Sequence, residues 1–321
     1  MNRTLPFFAL LAATASAAAS DTPARPSLGQ LHDKLVEASF ELLINGRLEG
    51  TGFLIDEAGH AATVWHAAGR PGKLEIRSKA LGRLNAERVG QDRSHDLSLL
   101  KLPCRDKPYP YLPIAKQGVG PGQPVHLLGT PIFRHRVFLT GHVARRGTTF
   151  EYFNGNFVEG IHVAAMTPGG CSGGPWVNRK GQVVGMQAAA MTLSSGHQGI
   201  ATMIPAKSIF NILKKKANIL APTLEMAVEE LWGQEVKYIQ AVPKGTKGLV
   251  VRQLKKEGTA AKAGVKEWDL VTKVDGRTIE ETDAFLRHLR RKKPGGRMNL
   301  DIMHKDGSDR RQVTVKLVPL K

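Results

Sequence analysis

Between Phe40 and Ile204 the apolar residues come in short runs, none long enough to build the face of a regular helix. ELLINGRLEGTGFLIDEAGH (41–60) alternates apolar and polar residues around a turn at Asn45-Gly46 and another at Glu57-Ala58-Gly59. That period of two, punctuated by turn residues, marks half-buried strands. DLSLLKL (96–102), PVHLLGT (124–130) and GQVVGMQAAA (181–190) repeat the pattern. Short strands with regular turn signals close into a barrel or sandwich. The 34 glycines and low aromatic content of the 321 residues lean the same way. The expected fold class is therefore mostly β, and a chain of this length divides into more than one domain.

The pattern changes after residue 205. AKSIFNILKKKANIL (206–220) reads as a helix with Ile209, Ile212, Leu213 and Leu220 near one face, and Pro222 follows. Residues 206–223 form a helix and linker in this reading. From Leu224 onward strands mix with two helices. KGLVVRQL (247–254) and DLVTKVDGRTI (269–279) are strands, and TAAKAG (259–264) is a short helix. TDAFLRHLRRKK (282–293) is an amphipathic helix with Thr282 as its N-cap, and 297–318 is a hairpin around Asp306-Gly307. Residues 224–321 are expected to form a separate α+β domain.

The N-terminus, MNRTLPFFALLAATASAAAS, has a positive Arg3, an apolar stretch from Leu5 to Ala13 and small residues at 17–20. This is the pattern of a cleaved signal peptide over residues 1–20, with an uncleaved anchor as the alternative. Export places the chain in the periplasm or outside the cell, with 21–39 as an N-terminal arm. The net charge of +18 is spread along the chain without a nucleic-acid motif. It reads as a solvated basic surface, and second as weak attraction to anionic envelope surfaces. Two cysteines make no disulfide framework, and the eleven histidines show no metal spacing, so neither metal nor cofactor is expected.

TPGGCSGGPWVN (167–178) sets Ser172 among four glycines. An ordinary turn needs fewer. A serine nucleophile needs a base and a group to orient that base. TVWHAAG supplies His66 at the end of a strand, and SHDLSLLKL supplies Asp96 at the start of another. Histidine, aspartate and serine stand in the chymotrypsin-type order. Their spacing lets one barrel hold the first two and a second barrel the third.

On GTGFLID (50–56), TVWHAAG, HDLSLLKL, GGCSGGPWVN and GIATMIP (199–205), residues 40–205 resemble a trypsin-like serine protease of the HtrA type. On LWGQEV (231–236), KGLVVRQL, TAAKAGVKEWDLVTKVDGRTI and the helix after it, the C-terminal domain resembles a PDZ domain. The resemblance implies a two-barrel chymotrypsin-like fold, a homotrimer held by the arm, and cleavage of unfolded envelope proteins. Ser172 would attack the carbonyl, His66 would carry the proton, and Asp96 would hold the imidazole. Gly170 and Ser172 would supply the N–H groups of an oxyanion hole. Leu231, Trp232, Gly233 and Gln234 match the loop that captures a peptide C-terminal carboxylate, the peptide adding as a strand. Basic residues of the 282–293 helix, Arg287 and Arg290 among them, read as a solvated face.

Three departures from the family pattern stand out. Cys171 occupies the usual asparagine position, Gly169 is added between Pro168 and the loop, and Trp65 precedes the histidine. They favour a more mobile oxyanion loop, and keep a latent, non-catalytic peptide-binding chaperone or sensor as the alternative function. Residues 187–202, QAAAMTLSSGHQGIAT, offer no fixed acid to a specificity pocket. Cleavage after small or medium apolar side chains is expected.

Overall fold

The computed structural model describes residues 26–153 and 155–320; the expected signal segment 1–20 lies outside the described residues. The first element is helix α1 (Leu28–Ala38), opened by a reciprocal cap between Ser27 and Gln30. Its Leu31, Leu35 and Val36 are buried against the strands that follow.

Seven antiparallel strands make the first sheet. In spatial order they are Gly82–Asn85, Leu74–Ser78, Ser39–Ile44, Arg47–Leu54, His60–Val64, Leu97–Lys101 and Glu87–Asp92. Helix α2 (Trp65–Ala68) is a single turn at the end of the third of these strands in the chain. The second sheet runs Thr149–Phe153, Asn156–Ala164, Gly196–Pro205, Val183–Leu193, Pro175–Val177, Pro124–Gly129 and Val137–Val143. It closes on itself, because Val143 and His142 pair back with Val163 and Ala164. Closure removes the free edges that an open sheet would leave. Phe53, Leu97 and Leu99 fill the first core, and Trp176, Val163 and Met203 fill the second.

Helix α3 (Ala206–Lys215) buries Ile209 and Ile212. It is shorter than the sequence pattern suggests: Lys216 turns left-handed at φ 49, and Leu220 is exposed. The chain leaves the helix there because Ala217 passes against Gly90 and Ile219 donates to the Gln91 carbonyl. A third sheet follows, ordered Ala227–Glu230, Leu249–Arg252, Leu270–Val274, Arg297–Met303 and Arg311–Lys316. With it come helices α4 (Val236–Ala241), α5 (Thr259–Lys262) and α6 (Thr282–Arg290). Thr282 is not the cap of α6. It is the first helical residue, and its N–H donates to a Glu230 carboxylate oxygen at 3.1 Å.

The α+β part is packed onto the second barrel. Phe150 and Phe157, from the 149–164 hairpin, belong to one buried cluster with Leu224, Met226, Leu286 and Leu289. At the start of α6, Asp283 accepts from Arg145 at 2.5 Å, Thr149 Oγ1 at 3.0 Å and the Phe150 N–H at 3.2 Å. Near its end, Arg290 donates to the carbonyls of Phe157 and Pro222. Arg290 therefore leaves the solvated face that Arg291 and Lys293 keep, and Arg287, with its side chain still 42% exposed, also reaches the Thr148 carbonyl. Arg287 and Arg290 turn toward the hairpin, whose carbonyls need donors once the apolar packing has excluded water.

Candidate active site

The strand His60–Val64 ends directly in α2, so His66 stands at the rim of the first barrel. Asp96 reaches it from the neighbouring strand. The turn Arg93–His95 ends with Asp96 in the left-handed region, φ 48 and ψ 42, a conformation that aspartate tolerates better than most residues. This twist aims the carboxylate back at α2. Oδ1 accepts from the His66 backbone N–H at 2.8 Å, and Oδ2 lies 2.6 Å from His66 Nδ1. A carboxylate can only accept, so Nδ1 carries the proton and Nε2 is left as the acceptor. Asp96 is buried, and its own carbonyl accepts from the Trp65 N–H. Trp65 serves as a peg here. Its indole N–H donates to Gln91 at 2.9 Å, the Arg93 guanidinium sits 4.0 Å from its ring, and a side chain at Gly69 would collide with that ring.

Ser172 comes from the second barrel, in the loop before Pro175–Val177. Its carbonyl accepts from the Thr51 N–H at 2.8 Å. Gly173 beside it sits so close that an added Cβ would lie 1.9 Å from the Thr51 carbonyl oxygen and 2.7 Å from Thr63 Oγ1. The serine loop is thereby seated on the strand Arg47–Leu54 and against Thr63 of the strand that delivers His66. Gly170, at φ +101, presses equally hard on the Thr130 carbonyl. Such contacts admit only glycine.

The carbonyls of this loop are held. Gly169 O accepts from the Ile132 N–H at 2.8 Å, Gly170 O from Thr51 Oγ1 at 3.0 Å and Cys171 O from the Gly174 N–H at 2.9 Å. In a trans peptide the N–H points opposite to the carbonyl. Anchoring the Gly169 and Cys171 carbonyls therefore turns the Gly170 and Ser172 N–H groups the other way. Neither donates to an acceptor among the described residues. The added Gly169 does not leave the loop unsupported, because Ile132 holds it. That brace is itself strained: Ile132 and Phe133 have φ of 46 and 63 and are both exposed.

The Ser172 hydroxyl donates to the Ala188 carbonyl at 3.2 Å rather than to His66. Catalytic hydrogen bonds of this kind commonly tighten only with substrate present. Directly after Ala188 in the chain, a cavity is lined by Ala189, Ala190, Met191 and Ile200, as the 187–202 segment suggests, and also by Glu151 and His162. An acid is thus present after all, supplied by a different hairpin. It is engaged, with Glu151 Oε1 2.7 Å from His162 Nε2. Phe153 of the same hairpin stands edge-on to the His66 ring at 5.3 Å. None of these three was visible as a site residue in the sequence.

The Arg93–His95 turn carries a second charged cluster. His95 Nδ1 is 2.8 Å from Asp92, and its Nε2 faces Glu159 at 3.6 Å. Burial works to depress the His95 pKa, but the two carboxylates outweigh it and raise it to about 9. The hairpin tip is tied to the same turn, since Asn156 donates to the Arg93 carbonyl. Cys171 is buried in the second core, which pushes its thiol up to about 12, while Cys104 is exposed.

In the C-terminal part, Leu231–Gly233 forms a single 3-10 turn after Ala227–Glu230, the edge strand of the third sheet, and Gln234 closes it. Trp232 is exposed and its indole N–H donates to Glu230, whose carboxylate also holds the first residue of α6. Gln234 donates from its side chain to Glu229 and to the Glu230 carbonyl. No group of metal-ligating side chains occurs among the described residues.

A trypsin-like peptidase domain family matches residues 50–186, and a PDZ domain family matches residues 229–317. A probable periplasmic serine endoprotease DegP-like of Brucella suis biovar 1 (strain 1330) is 26% identical over 275 residues, covering 84% of this chain and 53% of the relative. Its namesake in Pseudomonas fulva (strain 12-X) is 29% identical over 279 residues, covering 84% and 56%. The chain thus spans about half the length of the curated relatives it matches. Among solved structures, an HtrA-type protease AlgW with decapeptide superposes with a TM-score of 0.67 at 17% identity, over 92% of this chain and 99% of that one. A serine endoprotease from Yersinia pestis gives 0.62 at 18%, with the same coverage.

Proposed function

We propose that this chain, which belongs to the HtrA-type trypsin-like serine proteases with one C-terminal PDZ domain, is an ATP-independent serine endopeptidase acting on unfolded or damaged proteins of the periplasm. The observation that carries the reading is the double hold of Asp96 on His66, on the backbone N–H and on Nδ1. It fixes the tautomer in which Nε2 can take the proton of Ser172. The hydroxyl rotates from the Ala188 carbonyl to His66, attacks the scissile carbonyl and forms an acyl-enzyme. His66 returns the proton to the leaving amine and then activates water for deacylation. Asp96 stabilises the imidazolium in both halves. The unengaged N–H groups of Gly170 and Ser172 receive the oxyanion, in a site already oriented before reaction.

Specificity is assigned to the cavity next along the strand from the Ala188 carbonyl that Ser172 bonds. Its walls, Ala189, Ala190 and Ile200, suit small or medium apolar side chains, and Glu151 is engaged by His162 rather than free for a basic residue. The Leu231–Gln234 turn, at the end of an edge strand, is the proposed site for peptide C-termini. A homotrimer through the N-terminal arm and a cleaved signal peptide complete the proposal.

The test is to incubate the mature protein and its Ser172→Ala variant with a reduced, unfolded substrate and to map fragments by mass spectrometry. Loss of a triad serine costs on the order of 10⁶ in rate. Cleavage by the wild type alone, after apolar residues, is the expected result. Equal cleavage by both proteins would remove Ser172 from the mechanism.

A further inference from the structure

Behind the oxyanion loop, between the two barrels, lies a cavity of about 230 Å³ that the peptidase reading does not use. Holding one water takes only about 10–15 Å³. Its walls carry Arg77, Lys79, His135 and Arg136 against a single carboxylate, Glu41. Glu41 is buried and already satisfied: it accepts from Arg77 Nε at 2.5 Å and from His135. Lys79 and Arg136, by contrast, form no ion pair among the described residues. Ser39, on the same lining, is only 6% exposed, and its hydroxyl has no hydrogen-bond partner. A buried hydroxyl left unpaired is costly. Two unmatched cations beside it define what would satisfy it, a group rich in acceptors and carrying negative charge.

We propose that this cavity is a binding site for a small oxyanion of the phosphate class, held by Lys79 and Arg136 with the Ser39 hydroxyl as a neutral donor. The remaining walls give the site its significance. Thr51, Gly129 and Thr130 line it. Thr51 bonds the Gly170 carbonyl, the Thr130 carbonyl abuts Gly170, and Gly129 packs on Cys171. An occupant would therefore rest on the residues that brace the oxyanion loop.

The experiment uses the full mature chain carrying Ser172→Ala, which prevents self-digestion. Inorganic phosphate is titrated by calorimetry at constant ionic strength set with sodium chloride, and melting is followed in parallel. One saturable site and a rise in Tm are expected, neither produced by chloride. Lys79→Ala with Arg136→Ala should weaken binding about tenfold or more. Both side chains are exposed, so the double variant should melt like its parent without phosphate. Ser39→Ala should weaken binding severalfold. Absence of a saturable site, or an affinity unchanged in the double variant, would overturn the proposal. Binding is read without catalysis, so this failure is distinct from a failure of the peptidase reading.

Discussion

Gly170 is the residue at which local geometry bears most directly on rate. An alanine Cβ there would stand 2.3 Å from the Thr130 carbonyl oxygen at a φ of +101, so the peptide carrying its N–H must rotate or shift. Gly170→Ala should lower kcat by about 10²–10³, the usual effect of losing one oxyanion donor, with KM nearly unchanged. Steady-state kinetics on a peptide substrate would show this, and an unaltered kcat would remove Gly170 from the oxyanion role. At the next residue, burial keeps the Cys171 thiol protonated, and it packs as a small apolar side chain. A thiol reagent should therefore label Cys104 alone in the native protein and both cysteines after denaturation. At this scale the sequence was informative wherever a residue's neighbours in the chain are also its neighbours in space. Ser172 announces itself through its glycines, and His66 and Asp96 through the strands that carry them. Glu151, His162 and Phe153 gave no such signal, because what brings them to Ser172 and His66 is pairing across a sheet and not anything in their own stretch of chain.

Among the elements, the Arg93–His95 turn and the 149–164 hairpin depend on one another through the His95 cluster. His95 is raised above its ordinary value of 6.5 to about 9, so its charged form is favoured in the folded protein. The stability this contributes is complete below about pH 6.5 and is lost as pH rises through about 9. Asp92 and Glu159 are both lowered from their ordinary values, burial being outweighed chiefly by His95, so their share is lost only in acid. Urea unfolding of the wild type and His95→Gln should therefore differ most near pH 6 and converge above pH 9. A difference independent of pH would mean that His95 acts through packing alone. The sequence placed the strands and the amphipathic helix well, because periodicity is a local property. It misjudged the C-terminal end of α3 and the place of Arg290 on α6. A period says that lysines and arginines share a face, but not that a second domain will cover part of that face.

For the molecule as a whole, the buried cluster joining Phe150 and Phe157 to Leu224, Met226, Leu286 and Leu289 makes the two domains share a core. Each phenylalanine is worth roughly 1.5–3 kcal/mol when buried. Calorimetry of the full chain should give one cooperative transition, and a chain ending at residue 221 should melt lower and bind a hydrophobic dye at the exposed hairpin. Two well-separated transitions would show instead that the contact contributes little. The shared core also has a meaning in time. A chain delivered N-terminus first presents residue 157 well before residue 317. Throughout that interval the hairpin beside His66 lacks the surface it packs against. The order of arrival thus works as a clock on maturation, with the first half of the chain waiting for a partner that has yet to emerge.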